Sequence, residues 1–213
     1  MAVTEIPPPC RVDRLHQDGA GLIAAGLAAT GVADAKVQAA WLVHGYTWLL
    51  AAPALTALLG EGRVLDLSPG RVTVGAGAGG AHVITVDEPS PPPFGGCPDA
   101  ARARLRETLE ENLATVLSLP QLSPIGARLR WMLAADMLAG AALHVGHALL
   151  GREETIREAE ALMAIPGALS LPLDVIPDGH AADHPERWRA SCCLAHRVGG
   201  ELCPTCPRRR PRG

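Results

Sequence analysis

Residues 37–59, VQAAWLVHGYTWLLAAPALTALL, run for 23 positions without an Asp, Glu, Lys or Arg. An uncharged stretch of that length has two outlets: it crosses a bilayer, or it is buried in a protein core. This one is rich in Ala and interrupted by His44, Gly45 and Pro53, and Gln38, Thr47 and Thr56 add polar atoms. Trp41 and Trp48 lie in its interior, not at its ends, where an aromatic belt would place them. The pattern predicts two buried core helices joined near Ala52–Pro53, and no transmembrane span.

The flanking sequence continues that helical reading. Residues 13–32 carry apolar positions at helical spacing, and Asp34 is suited to cap the helix that follows. Periodicity changes at RVLDL, RVTV and AHVITV, which predict a small antiparallel β element near 63–86. Within it, GAGAGG at 75–80 fits a GxGxxG pattern, but a strand pattern follows, and a dinucleotide site needs a helix there. A hairpin connection is the expected use of those glycines. The Pro/Gly-rich segment 87–97 reads as a linker. Beyond it, helices are expected from 98 to about 119, from 123 to about 150 and over 152–163, with 164–184 irregular. On the 123–150 helix, Asp136, Gly140, His144 and His147 share one face. No ExxH accompanies them, so polar contacts toward a cleft or a neighbouring helix are expected there, not a diiron centre. The fold class expected is mainly α with a small antiparallel β element (α+β), a single domain with a cysteine-rich C-terminal segment. Residues 1–186 form the helical body and 187–213 the cysteine segment and tail.

At 213 residues, 48% hydrophobic and 19% charged, the chain has the composition of a folded protein. A net charge of −3 argues against general nucleic-acid binding. The N-terminus, MAVTEIPPPC, has no basic n-region and no apolar h-region, so a cytoplasmic location is expected. In a reducing compartment, cysteines are metal ligands or redox groups more often than disulfides. The RRRPRG tail is expected to be disordered and able to touch an anionic partner, including a membrane surface by peripheral association.

Four of the six cysteines fall within fifteen positions, in CCLAHRVGGELCPTC at 192–206. An all-cysteine zinc site takes two CxxC-like knuckles. Here Cys203 and Cys206 make one, but Cys192 and Cys193 are adjacent, and neighbouring residues of an extended strand point to opposite sides. A [2Fe–2S] cluster offers two iron atoms, each needing two thiolates, so CC can serve one iron through a bent backbone or be shared between both. Gly199–Gly200 lets the intervening loop fold back. His196 is close enough in sequence to replace a cysteine as a ligand, but with four cysteines present a hydrogen bond to the site or plain exposure is expected. Arg187, Arg189, Arg197 and Arg208 surround it, and positive charge there favours a reduced cluster. Cys10 and Cys97 have no partner motif and read as free cysteines.

The run Arg189-Ala-Ser191-Cys192-Cys193-Leu194, followed by Cys203-Pro-Thr-Cys206-Pro207, resembles the ending of the FhuF-like ferric siderophore reductases. In that family CC, about ten residues and CxxC bind a [2Fe–2S] cluster; the loop here is nine residues. More weakly, 41–74 resembles the family's helix-then-strand segment, and 123–146 its central Trp-bearing helix. The resemblance implies that Cys192, Cys193, Cys203 and Cys206 ligate a [2Fe–2S] cluster. It further implies a cytoplasmic, often membrane-associated protein that reduces Fe(III) in a siderophore complex, with an unidentified electron donor. Hydroxamate complexes are the favoured substrates, because catecholates hold Fe(III) more tightly. Arg130 and Arg128 on the central helix, and Trp188 as a groove wall, are candidate contacts for the complex. Two other readings share the cysteines: a general iron–sulfur electron carrier or redox sensor, and a non-redox binding module clipped by zinc.

Overall fold

The computed structural model describes residues 7–77, 82–87, 94–176 and 186–210. Among these the chain is mainly helical, with two small antiparallel sheets. Two short helices, α1 (Leu15–Asp18) and α2 (Ala20–Ala29), precede the 27-residue α3 (Ala35–Glu61). After the sheet come α4 (Pro98–Leu117), α5 (Ala127–Leu149) and α6 (Arg152–Ala164). The core lies where α3, α4, α5 and α6 pack together, with Leu50, Leu55, Leu105, Leu109, Leu133 and Leu138 fully buried.

One sequence expectation is corrected in α3, which is a single helix through Pro53 and not two helices joined there. Proline removes one helical hydrogen bond and crowds the preceding turn. Pro53 itself is exposed, however, while Leu50, Ala51, Ala54 and Leu55 on either side are buried on one face. Burial of that continuous face outweighs the local loss. Asp34 caps the helix as expected, its side chain accepting from the amides of Lys36 and Val37. The helix ends at Gly62 in the left-handed region (φ 64°), where the Gly62 and Arg63 amides return to the Leu58 and Ala57 carbonyls. By length and composition α3 and α5 are each apolar enough to cross a membrane; in the fold they pack on one another as part of the core.

The three-stranded sheet has the order β1 (Cys10–Arg11), β2 (Val72–Ala76), β3 (His82–Val86), antiparallel throughout. The β2–β3 pairing, Val72 opposite Val86 through Ala76 opposite His82, is the hairpin expected around the glycines. Gly79 and Gly80 lie outside the described residues. RVLDL at 63–67 is not a strand, and Cys10–Arg11 supplies the third one instead. The Leu67 carbonyl is taken by Asn112 Nδ2 at 2.8 Å, and Asn112 Oδ1 accepts the buried Tyr46 hydroxyl at 2.5 Å. Asp66 turns back to the Ser68 amide. These bonds divert 63–68 from a sheet ladder and tie it to α3 and α4.

Helix α4 begins with Pro98 at its first position and α6 with Glu153 and Glu154 in its first turn, both suited to an N-terminus. Buried Arg106 joins them, donating to the Leu162 carbonyl at 2.6 Å and to Glu110 at 2.7 Å. Helix α5 starts at Ala127, later than 123, because Pro120–Leu122 forms a 3₁₀ turn. A second sheet pairs β4 (Val175–Ile176), inside the stretch expected to be irregular up to 184, with β5 (Glu186–Arg187) just beyond it. Residues 88–93 of the linker, 177–184 of the irregular stretch and 211–213 of the tail lie outside the described residues.

Candidate functional site

The route to the cysteines starts at Asp136, the only acidic residue of α5. Its side chain is fully buried and pairs with Arg187 Nη1 of β5 at 2.6 Å. The same carboxylate accepts the amides of Ala190 at 2.9 Å and Ser191 at 2.6 Å, and the Ser191 hydroxyl. One helix side chain therefore fixes the backbone for the five residues leading into Cys192. A buried carboxylate survives only when paired and hydrogen-bonded in this way.

Beyond Ser191 the backbone bends. Leu194 adopts φ 64°, a conformation that β-carbon-bearing residues avoid, and its side chain packs against the core. The bend immediately follows the adjacent cysteines, as a CC pair serving one cofactor demands. Trp41 of α3 donates its indole N–H to the Cys193 carbonyl at 3.1 Å. A 3₁₀ turn over Ala195–Val198 follows, closed by Gly199 at φ 80° and by the Gly200 amide on the Ala195 carbonyl. The loop folds back there, as expected from Gly199–Gly200. Arg197 in this turn pairs with Asp34 at 2.9 Å, so the α3 cap also anchors the segment. The Cys206 amide bonds the Cys203 carbonyl to close the CPTC turn, and the Arg189 amide bonds the Thr205 carbonyl, joining the two halves.

None of the four thiols is in a disulfide; Cys192, Cys193 and Cys203 are half-buried and Cys206 is buried. Cys206 and Cys193 both act electrostatically on Cys192 and on Cys203, so the four thiols lie within reach of one another. Among the described residues no group of three or more His, Cys, Asp or Glu side chains is arranged around a single metal ion. Burial pushes the Cys192 thiol up, partly offset by the Leu194 amide, with Cys206 and Cys193 adding to the rise. Burial likewise pushes Cys203 up, opposed by the Arg189 guanidinium. Free thiols of this kind hold their protons at neutral pH, and loading a metal cofactor displaces them.

Of the four arginines expected around the site, each has a different role. Arg187 is spent on Asp136, Arg197 on Asp34, and Arg208 is exposed. Only Arg189 acts on a thiol, its positive charge lying beside Cys203 while its guanidinium donates to His44 Nε2 at 2.7 Å. Because arginine only donates, His44 accepts through Nε2 and carries its proton on Nδ1. Burial first and Arg189 second push the His44 pKa down to about 3, with Asp136 working the other way. The imidazole is therefore a neutral acceptor that aims a permanent cation at the site. His196 Nδ1 lies 3.7 Å from the Cys192 sulfur, a neighbour of the thiols as its position suggested.

Arg130 donates to the Ile125 carbonyl at 3.0 Å and to the Leu117 carbonyl, stapling the α4–α5 connection. Trp188 is half-buried, its amide on the Asp174 carbonyl. Neither lines a groove beside the thiols. A groove of about 230 Å³ that includes Gly140, Arg189 and Thr205 borders the segment; another, of about 350 Å³, includes Trp41, Trp48 and His82 of the helical body. Trp48 also packs its ring on His144, centroids 5.4 Å apart. The scaffold roles of Asp136, His44 and Trp41 escaped the sequence reading. A lone acid in an apolar helix was the one available signal.

Four thiols on one bent, cross-braced segment make a site suited to a thiolate-bound metal cofactor. Residues 189–208 match the family model described as FhuF 2Fe-2S C-terminal domain. The C-terminal segment is a 2Fe–2S domain of this type, with a [2Fe–2S] cluster as its cofactor, in agreement with the resemblance carried by RASCCL and CPTCP. No curated protein and no solved structure matches the chain.

Proposed function

We propose that this protein is a ferric siderophore reductase of the cytoplasm, with Cys192, Cys193, Cys203 and Cys206 as the ligands of its cluster. The observation that carries the reading is the family match on a segment three of whose four thiols are half-buried and whose Arg189 and Thr205 line an open groove. When bound, a [2Fe–2S] cluster supplies one electron at a time. The chain's own task is then to hold the four thiolates, keep Arg189 against Cys203 and leave one side open to the iron complex. One electron converts Fe(III) of the complex to Fe(II). Hard siderophore oxygens hold Fe(II) weakly, so the metal leaves for softer ligands. No acid or base is required. Residues 187–213 carry the redox group, and 1–186 supply its frame and docking surface.

The test has two arms. Serine at 192, 193, 203 or 206 should bleach the visible spectrum, whereas Cys10→Ser and Cys97→Ser should leave it unchanged. Chemically reduced protein should be re-oxidised by a ferric siderophore as a ferrous chelator develops colour. A reduced protein indifferent to ferric siderophores but rapidly oxidised by a protein acceptor would be an electron carrier instead. A colourless protein with one zinc would end the redox reading.

A further inference from the structure

Arg189 is held at both ends. Its amide donates to the Thr205 carbonyl inside the CPTC turn at 3.0 Å, and its guanidinium donates to His44 Nε2 at 2.7 Å. Between these anchors its charge lies beside Cys203 and favours the ionised sulfur. His44 stands one helical turn from Trp41 on α3, and Trp41 donates to the Cys193 carbonyl at 3.1 Å. A single turn of α3 therefore reaches both halves of the cysteine motif, the CC half through Trp41 and the CPTC half through Arg189.

The partner of that guanidinium sets it apart. Arg187 meets the carboxylate of Asp136, and Arg197 that of Asp34. A carboxylate fixes an arginine side chain and cancels its charge. An imidazole accepting through Nε2 fixes the side chain and leaves the charge in place.

We propose that His44 is a positioning residue for electron transfer: by holding the Arg189 guanidinium beside Cys203, it raises the reduction potential of the cluster. This tuning presupposes the four-cysteine ligand set of the reductase reading above. An added electron makes a cluster more negative, so a fixed cation beside a ligand sulfur stabilises the reduced form more than the oxidised one. Place matters as much as charge, because a half-buried cation is screened less than one in solvent. Arg189 is half-buried; Arg208, two residues from Cys206, carries the same charge but is exposed. Without His44 the Arg189 side chain turns out to solvent, and its effect falls toward that of Arg208. His44 thus acts on the cluster through Arg189.

Midpoint potentials of the cluster-loaded full chain, titrated spectroelectrochemically at one pH and ionic strength, test the assignment. Arg189→Gln should lower the ratio of reduced to oxidised cluster at a fixed applied potential about tenfold, a drop of about 59 mV for a one-electron couple. His44→Leu should move it the same way, by about threefold or more. His44→Gln keeps an acceptor oxygen and should hold the potential near that of the parent. Arg208→Gln removes the same charge from an exposed position and should change the ratio by less than about twofold. The double variant His44→Leu/Arg189→Gln should match Arg189→Gln alone, because residue 44 then has no cation to place.

A merely structural His44 would lower iron and sulfide per chain, or Tm, and leave the potential of the remaining cluster unchanged. That result, additive shifts in the double variant, or an equal shift from Arg208→Gln would overturn the proposal. If Arg189→Gln does not load, His44→Leu against His44→Gln decides alone, and equal potentials overturn it. A parent whose cluster survives Cys203→Ser has a different ligand set, and the proposal falls with the assignment. A potential indifferent to residues 44 and 189, in a protein that Cys203→Ser does bleach, sinks the proposal and leaves the ligands standing.

Discussion

Asp136 concentrates the most consequence in a single side chain. It takes Arg187, two backbone amides and a hydroxyl into a site from which water is excluded. Removing one partner of such a pair strands the other charge, at a cost of about 3–5 kcal/mol. Asp136→Asn keeps the shape but loses the charge and one acceptor oxygen. Urea unfolding should show a loss of about 3 kcal/mol or more, and the purified variant should carry less iron and sulfide per chain. Unchanged stability with full iron content would show that the 187–191 backbone is held by other means. The neutral His44 beside Arg189 works at the same scale: it supplies an acceptor without a competing charge, so Arg189 keeps its full positive charge beside Cys203.

At the scale of the element, α3 shows packing overriding a local preference. Its proline withholds the amide that would have met the Leu49 carbonyl, and an interior proline costs about 3 kcal/mol relative to alanine. Since Pro53 is exposed, replacement loses little packing. Pro53→Ala should therefore stabilise the protein by about 1–3 kcal/mol and raise Tm, measured by far-ultraviolet circular dichroism. A fall in Tm would mean that the bend imposed by Pro53 is needed to fit α3 along α5. Helix α3 also carries three of the contacts that hold the redox segment: Asp34 at its cap, then Trp41 and His44 along one side.

Across the whole molecule, the cysteine segment is sewn to the body at separate points. Asp136 of α5, Trp41 of α3, Asp34 before α3 and Asp174 near β4 each hold a residue of the last thirty, Asp174 through Arg210. These contacts predict that cofactor binding and folding of the helical body are linked. Removing iron should lower Tm of the entire chain, by about 2–4 °C for each kcal/mol of linkage. Tryptophan fluorescence and circular dichroism should report one shared transition in the loaded protein. A segment that melts separately, ahead of an unaltered body, would show the two to be independent.

The cysteine spacing, the uncharged run and the capping residue are local signals, and they were enough for the cofactor class, the helical character of the chain and the start of α3. Chemistry at short range needs only neighbours in sequence: CC and CPTC place thiols within one turn of each other, and Asp34 needs only the next amides. The expectation of two helices at Pro53 failed because a local penalty was weighed without the burial on both sides of it. The RVLDL strand failed because its carbonyl partner, Asn112, is 45 residues from Leu67. Asp136 could be seen as an isolated acid, but not as the anchor of residues 187–191, because a buried charge is explained only by whatever meets it. The pairing of His44 with Arg189, 145 residues apart, and the groove over Gly140 exist only once α3, α5 and the C-terminal segment are packed together. Sequence determined which groups are present; tertiary packing decided which of them face one another.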